Sequence, residues 1–220
     1  MKPNIFDIAT KELSQDAFIT WLLAFADNDN QQYDKELNLC AKEFVSMLIK
    51  KQIPNFNEPI LTVEAGRQWK NIDVWAEVNN KYLIIIEDKT VTSEHSNQLE
   101  RYKEIAEKWC SENGYETPIC IYLKTGNESL SIFNAIKGKG YAIFDRTDFI
   151  TLFKNHKEVR NNIFIDFYER MTSMEKLSTE FENKPLEDWN GNDWQGFFKL
   201  IETKIHILKW HYVNNPNGGF

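Results

Sequence analysis

The sequence has few cysteines, no long hydrophobic run and no excess of positive charge. Its three cysteines form no CxxC pair and are odd in number, which argues against a disulfide framework or a zinc site. The longest apolar run near the N-terminus, residues 18–26, is far too short to span a bilayer. The acidic residues Asp7, Glu12 and Asp16 precede it, and a secretory signal would not carry them. We therefore expect a soluble, cytoplasmic protein with reduced cysteines.

The composition is that of a globular but acidic protein. Apolar residues make up 42% of the 220 residues and aromatic residues 14%, enough for a substantial core. The formal charge of −7 argues against a protein that coats nucleic acid, because such proteins are normally basic. It does not exclude a nuclease, since metal-binding carboxylates add negative charge and a local basic groove can coexist with an acidic remainder.

The spacing of apolar residues predicts an α/β domain. Helical periodicity gives way to strand-like periodicity near residue 60, and helices and strands then alternate. The predicted helices cover residues 12–26, 34–51, 96–112, 145–154 and 159–174, and the predicted strands 60–65, 71–78, 82–89, 118–124 and 141–144. This order indicates a mixed β-sheet in which a three-strand meander is followed by crossover strands, with helices on its faces.

The character of the sequence changes near residue 176. We expect a core domain over residues 1–176 and a C-terminal helix–strand extension over 177–220, with a helix at 193–204 and a strand at 206–213. Residues 214–220 read as a turn with nothing after it. Either a strand partner has been lost by truncation, or this end is disordered.

Two carboxylates and a lysine form the most informative group of residues. Glu87 and Lys89 lie two apart on a predicted core strand, so they share a face. Asp73 joins them only if the hairpin loop has three residues, 79–81, since a two-residue loop would turn Asp73 to the other face. The two asparagines at 79 and 80 tolerate the left-handed conformation that a three-residue loop requires.

Close carboxylates repel one another, and burying them is costly unless a cation neutralises their charge. A hard divalent ion with oxygen ligands, Mg²⁺ or else Mn²⁺, satisfies this requirement. Lys89 could then orient or deprotonate a water, or stabilise the charge that develops on the phosphorus centre. The alternative is a surface hairpin with an ordinary salt bridge. The apolar run Leu83-Ile84-Ile85-Ile86 before Glu87 favours the buried site.

At this point the sequence resembles the PD-(D/E)XK nuclease superfamily. The motif reads Ile72-Asp73, then thirteen residues, then Glu87-Asp88-Lys89, with Ile72 in place of the proline. The resemblance implies a restriction-endonuclease-like α/β core, phosphodiester cleavage in DNA, and a divalent metal held by Asp73 and Glu87. It covers residues 5–155, and the later segments are similar to a bacterial branch of the superfamily.

Further residues enter the site through the same resemblance. Gln98 and Tyr102 look like the QxxxY element of RecB-like members, one helical turn apart, and Glu12 is similar to an acidic metal ligand on the first helix. Asp88 is expected to offer its backbone carbonyl to the metal while its side chain points away. Other interpretations stay open: compensation of the helix dipole by Glu12, and a polar pair of Gln98 and Tyr102 on a solvated helix.

The resemblance leaves the activity itself open. The first hypothesis is a Mg²⁺-dependent nuclease acting on DNA. The second is a catalytically inactive member of the same fold that binds nucleic acid or protein. The complete set of Asp73, Glu87 and Lys89 favours the enzyme. Arg67 and Lys70, just before the Asp73 strand, could contact phosphate or simply be solvated, and His206 and His211 are predicted to face opposite sides of a strand.

Overall fold

The computed structural model describes residues 2–90 and 97–205. The helices of this part are α1 (Ile5–Ile8), α2 (Glu12–Phe25), α3 (Lys35–Lys50), α4 (Gln98–Asn113), α5 (Leu130–Gly138), α6 (Arg146–Asn155), α7 (Asn162–Thr179) and α8 (Gly191–Lys204). The strands are β1 (Val63–Trp69), β2 (Ile72–Val78), β3 (Tyr82–Lys89), β4 (Ile119–Lys124) and β5 (Ala142–Asp145). Short 3₁₀ turns connect some of these elements. No helix of the described ranges is long and apolar enough to cross a membrane.

The five strands form one mixed sheet in the order β1-β2-β3-β4-β5. The first three strands are an antiparallel meander, and β3, β4 and β5 are parallel to one another. Parallel neighbours need crossover connections, and α4 and α5 provide them. The carboxyl ends of β3 and β4 therefore lie side by side at one edge of the sheet.

A three-residue loop sets the register of the β2–β3 hairpin. Val78 pairs with Tyr82, so residues 79–81 form the loop. Asn79 and Asn80 both have positive φ, which asparagine accepts more readily than most residues. The Asn79 side chain also accepts hydrogen bonds from the backbone N–H groups of Leu61 and Thr62. Asparagine thus fixes both the turn and the segment that enters β1.

The central strands are covered on both faces. Every residue of β3 and β4 is buried, as expected of strands between two helical layers. Ile84 and Ile86 face a large core that α2, α3, α6 and α7 share. Leu83 and Ile85 face a smaller core with residues of α4 and α5. Glu87 and Lys89 continue the Leu83–Ile85 face of β3, and Asp88 continues the other.

The mixed sheet flanked by helices confirms the predicted fold class. Strand β1 begins at Val63, three residues later than predicted, because pairing starts where Val78 lies opposite. Helix α5 is missing from the sequence prediction, although Ser129 caps it with a hydrogen bond from the Ile132 N–H. The predicted strand at 206–213, its two histidines and the turn at 214–220 lie outside the described residues.

The predicted boundary at residue 176 falls inside α7, which continues to Thr179. Helix α8 packs closely against this helix, because a Cβ at Gly196 would collide with the backbone carbonyl of Ser178. The Asn190 side chain caps α8, and Asp193 completes a capping box with the Asn190 backbone. The division into a core and an extension stays a prediction.

Candidate active site

The structure brings Asp73, Glu87 and Lys89 together at the carboxyl end of β3. Val74 pairs with Ile86, so the next residues, Asp73 and Glu87, lie level on adjacent strands. The Lys89 Nζ atom lies 2.6 Å from Glu87 Oε1 and 3.7 Å from Asp73 Oδ2. Asp73 Oδ2 also accepts a hydrogen bond from the Asp88 N–H at 3.0 Å. The two carboxylates thus share one ammonium group, in the register that the three-residue loop requires.

Helix α2 adds Glu12 to this edge of the sheet. Glu12 Oε1 accepts a hydrogen bond at 3.2 Å from the backbone N–H of Thr90, the residue after β3. The charge of Glu12 also raises the pKa of Lys89, although burial and Glu87 affect that pKa more strongly. Glu12 is therefore close to the predicted site as well as being in the first turn of its helix.

The Asp88 side chain points to the opposite face, where sequence reasoning placed no functional residue. Asp88 is fully buried, and its Oδ1 atom accepts a hydrogen bond from Gln15 Nε2 at 2.5 Å. Gln15 Oε1 accepts in turn from Thr125 Oγ1 at 2.8 Å. Asp16, next to Gln15 on α2, is also buried. The spacing of Glu12 and Asp16, one helical turn apart, is the signal that could have found this second acidic face.

Four carboxyl groups of the site lie close enough to shift one another's pKa values. Burial raises the pKa of Glu87 to about 7, with a further rise from the charge of Asp73. Burial raises the pKa of Asp16 to about 6, again with a contribution from Asp73. Burial also raises the pKa of Asp88 well above its usual range, and the charge of Asp16 adds to this. The site therefore holds more negative charge than a dry environment tolerates without a cation.

The donor chemistry of these residues fits a hard divalent ion. Asp73 and Glu87 supply carboxylate oxygens, and Glu87 Oε2 has no hydrogen-bond partner among the described residues. The backbone carbonyl of Asp88, the oxygen expected to face the metal, accepts from Lys89 Nζ at 3.1 Å. In residues 2–90 and 97–205, no three His, Cys, Asp or Glu side chains are already placed to hold a metal ion. Lys89 stands between the two principal carboxylates instead.

Gln98 and Tyr102 lie on the Glu87 side of the sheet. Gln98 Nε2 donates a hydrogen bond to Tyr102 Oη at 3.0 Å, so the two residues face the same way on α4. Tyr102 is buried and packs in the same core as Leu83 and Ile85. The structure thus places this pair beside the Glu87 face rather than on a fully solvated helix surface.

Arg67 and Lys70 have local partners in this structure. Arg67 Nη1 donates to the backbone carbonyl of Leu13 on α2, and its charge lowers the pKa of Asp16 against the larger effect of burial. The Lys70 ammonium lies over the ring of Trp69, 5.0 Å from the centroid. Both residues remain exposed near the β1–β2 turn.

Two buried cations near the site are absent from the sequence prediction. Lys124 ends β4 and pairs in register with Lys89. Arg146 begins α6 and donates to the Thr125 carbonyl at 2.7 Å, to Asn127 Oδ1 at 2.8 Å and to Glu175 Oε2 at 2.8 Å. Neither belongs to a short motif, because the sheet order and the helix packing bring them to this edge.

The comparison with protein families agrees with this geometry. A family model described as the PD-(D/E)XK nuclease superfamily matches residues 3–184, most of the chain. A search of curated proteins and a search of solved structures returned no match. The aspartate, the glutamate and the lysine at the end of a central strand, within a mixed sheet and a matched span of this length, lead to one conclusion: the chain belongs to the PD-(D/E)XK nuclease superfamily.

Proposed function

We propose that the protein is a metal-dependent nuclease that hydrolyses phosphodiester bonds in DNA. The observation that supports this most strongly is the convergence of Asp73, Glu87 and Lys89 at the end of β3. The family supports a nuclease-like protein, and the restriction to DNA is our proposal. Mg²⁺ is the proposed cofactor, with Mn²⁺ as the alternative, because carboxylate oxygens are hard donors.

Asp73 and Glu87 would hold the metal ion. The Asp88 backbone carbonyl and the Glu12 carboxylate are further oxygen donors at the same edge of the sheet. A divalent ion bound there supplies Lewis-acid polarisation of a phosphoryl oxygen and lowers the pKa of a coordinated water. The raised pKa values of Glu87 and Asp16 support this assignment, since burial and the nearby charge of Asp73 make their ionised forms costly and a cation would offset that cost.

Lys89 would act on the phosphate that is attacked. Burial lowers its pKa, but the charge and the hydrogen bond of Glu87 outweigh this, so the pKa lies above the ordinary lysine value. A protonated lysine can stabilise negative charge on the phosphorus centre and orient a water, and it cannot accept the proton of that water. Among the roles open to Lys89, these two are favoured.

Gln98 and Tyr102 would orient the substrate or the water from the Glu87 side. Their mutual hydrogen bond leaves the second Gln98 amide hydrogen for another acceptor. We propose them as polar residues of the site that do not bind the metal directly.

The test is cleavage of labelled DNA in the presence of Mg²⁺ or Mn²⁺. Linear duplex, circular duplex and single-stranded DNA should be compared with RNA of the same sequence. Lys89→Ala is expected to reduce the rate by about a hundred- to a thousand-fold, the usual effect of removing one transition-state charge partner. Lys108→Ala, on the exposed surface of α4, is the matched control and should cleave at the wild-type rate.

The pattern of results separates the alternatives. Cleavage by the wild type and by Lys108→Ala, with loss in Lys89→Ala, supports the proposal. DNA binding without cleavage under either metal would favour an inactive binding module of the same fold. Preferential cleavage of RNA would contradict the proposed substrate while leaving the chemistry in place.

A further inference from the structure

The Asp88 peptide lies at the point where the β2–β3 hairpin opens towards the site. Among the described residues, the pairing of β2 with β3 runs towards the site as far as Val74 and Ile86. Beyond that pair, the Asp88 N–H donates to Asp73 Oδ2 at 3.0 Å, and the Asp88 carbonyl accepts from Lys89 Nζ at 3.1 Å. Both backbone groups of Asp88 therefore contact residues of the proposed site, at a point where pairing with β2 no longer orients them.

The Asp88 side chain is anchored on the opposite face of the sheet. Gln15 of α2 donates from Nε2 to Asp88 Oδ1 at 2.5 Å, and Thr125 donates from Oγ1 to Gln15 Oε1 at 2.8 Å. All three side chains are buried. Thr125, the residue after β4, is itself held, because its N–H donates to the Lys89 carbonyl at 3.2 Å and its carbonyl accepts from Arg146 Nη1 at 2.7 Å. Gln15 thus ties the ends of β3 and β4 to α2.

Stability alone does not call for polar side chains at this place. Ile84 and Ile86 precede Asp88 on the same face of β3 and pack in the large core. A third apolar side chain would continue that face, whereas a buried carboxyl group costs free energy unless it is well paired. Replacing both partners of a buried polar pair with apolar groups can be close to neutral. The buried Gln15–Asp88 pair is therefore better explained by the peptide that it holds than by the fold.

We propose that Gln15 is a positioning residue of the active site, which holds the Asp88 peptide through the Asp88 side chain. That peptide in turn orients the Asp73 carboxylate and presents the Asp88 carbonyl to the metal ion. The inference rests on the proposed function, because it takes Asp73 and the Asp88 carbonyl as donors to a divalent ion. Removing a partner that orients a metal ligand commonly weakens metal binding by about tenfold to a hundredfold. Gln15 would act without touching the metal ion or the substrate, since it is buried beneath β3.

The test is the affinity of the folded protein for Mn²⁺, measured by titration calorimetry well below the thermal unfolding midpoint of each variant. Gln15→Met, similar in size but without the amide, should raise the Mn²⁺ dissociation constant about tenfold or more. Thr125→Val replaces the hydroxyl that holds the Gln15 amide with a methyl group, and should raise it about threefold or more. Thr125→Ser keeps that hydroxyl and should bind Mn²⁺ within about twofold of the wild type. Gln32→Met, which changes an exposed glutamine in the 3₁₀ turn after α2, is the matched control.

The thermal unfolding midpoint separates this role of Gln15 from a purely structural one. A Gln15→Met variant that is less stable but binds Mn²⁺ as tightly as Gln32→Met would overturn the inference. If Gln15→Met does not fold, Thr125→Val is compared with Thr125→Ser instead, and equal Mn²⁺ affinities of these two would overturn it. A wild type that binds no Mn²⁺ would overturn it together with the proposed metal dependence. A wild type that binds Mn²⁺, with the expected losses in the variants, but cleaves no DNA would contradict only the proposed nuclease activity.

Discussion

Replacing Asp16 by asparagine should make the protein more stable at neutral pH. Burial and the charge of Asp73 raise the pKa of this carboxyl from 3.8 to about 6 in the folded state. The folded protein therefore binds the Asp16 proton more tightly than the unfolded chain does. Stability from this group is present at low pH and is lost as the pH rises from about 4 to about 6.

The expected gain in the free energy of unfolding follows from the pKa shift of Asp16. A rise of about 2 pKa units corresponds to about 3 kcal/mol of destabilisation once Asp16 is ionised. Asparagine has nearly the same shape and no charge, so Asp16→Asn should recover this free energy, less about 1 kcal/mol for altered hydrogen bonding with Asp88. We expect a net gain of about 1–3 kcal/mol at pH 8. At pH 5 the wild type is largely protonated at Asp16, and the gain should fall by roughly half.

The assay is urea unfolding in chelator at pH 8 and at pH 5, followed by circular dichroism. Chelator is needed because a metal ion held by Asp73 would also stabilise the wild type and would offset the charge that acts on Asp16. Glu104→Gln, an exposed carboxylate-to-amide change on α4, should leave the free energy of unfolding within about 0.5 kcal/mol of the wild type. A less stable Asp16→Asn variant at pH 8, or an equal gain at both pH values, would refute the electrostatic reasoning.

Three other predictions concern the packing around the site. Gly126→Ala should lower the free energy of unfolding by about 1–3 kcal/mol, because its Cβ would collide with the Thr90 carbonyl oxygen. Gly138→Ala is the control: its Cβ meets no atom, so its thermal unfolding midpoint should stay close to that of the wild type. Arg146→Met should lower the free energy of unfolding in urea by about 3 kcal/mol, since it leaves buried acceptors and Glu175 without their partner. A loss as small as that of Arg160→Met, which removes an exposed ion pair, would contradict this. Burial raises the pKa of the thiols of Cys40, Cys110 and Cys120, so a thiol reagent at pH 8 should label the native protein slowly and the unfolded chain fast. Rapid labelling of the native protein would contradict the burial of these thiols.

Periodicity predicted the parts of this fold in which local sequence and tertiary packing agree. The β2–β3 hairpin was predicted from an apolar strand and two adjacent asparagines, and the structure has the three-residue loop, one of the two registers that the sequence left open. Helix α5 was missed because Leu130–Gly138 is short and follows a polar loop, so its cap at Ser129 was the only clear signal. Only packing in the smaller core shows why this segment becomes helical.

The sequence predicted the site residues that lie on one hairpin, but not those that other helices and strands bring to the site. Asp73, Glu87 and Lys89 were found because one hairpin carries all three. Asp16 and Lys124 were not singled out, although both lie at the same edge of the sheet. Their positions depend on how α2 packs against β3 and on the pairing of β4 with β3, and no local motif encodes those long-range contacts.

The hydrogen bonds through Gln15 have a direction, and that direction fixes which amide atom faces Asp88. Thr125 donates to the amide oxygen of Gln15, so the amide nitrogen must face Asp88. Asp88 Oδ1 therefore meets a donor, whereas Asp88 Oδ2 has no hydrogen-bond partner among the described residues. Glutamate at position 15 would replace the donating amide nitrogen of Gln15 with an oxygen that accepts hydrogen bonds. Gln15→Glu, although similar in size and shape, would therefore place a carboxylate oxygen of residue 15 against Asp88 Oδ1 beneath β3.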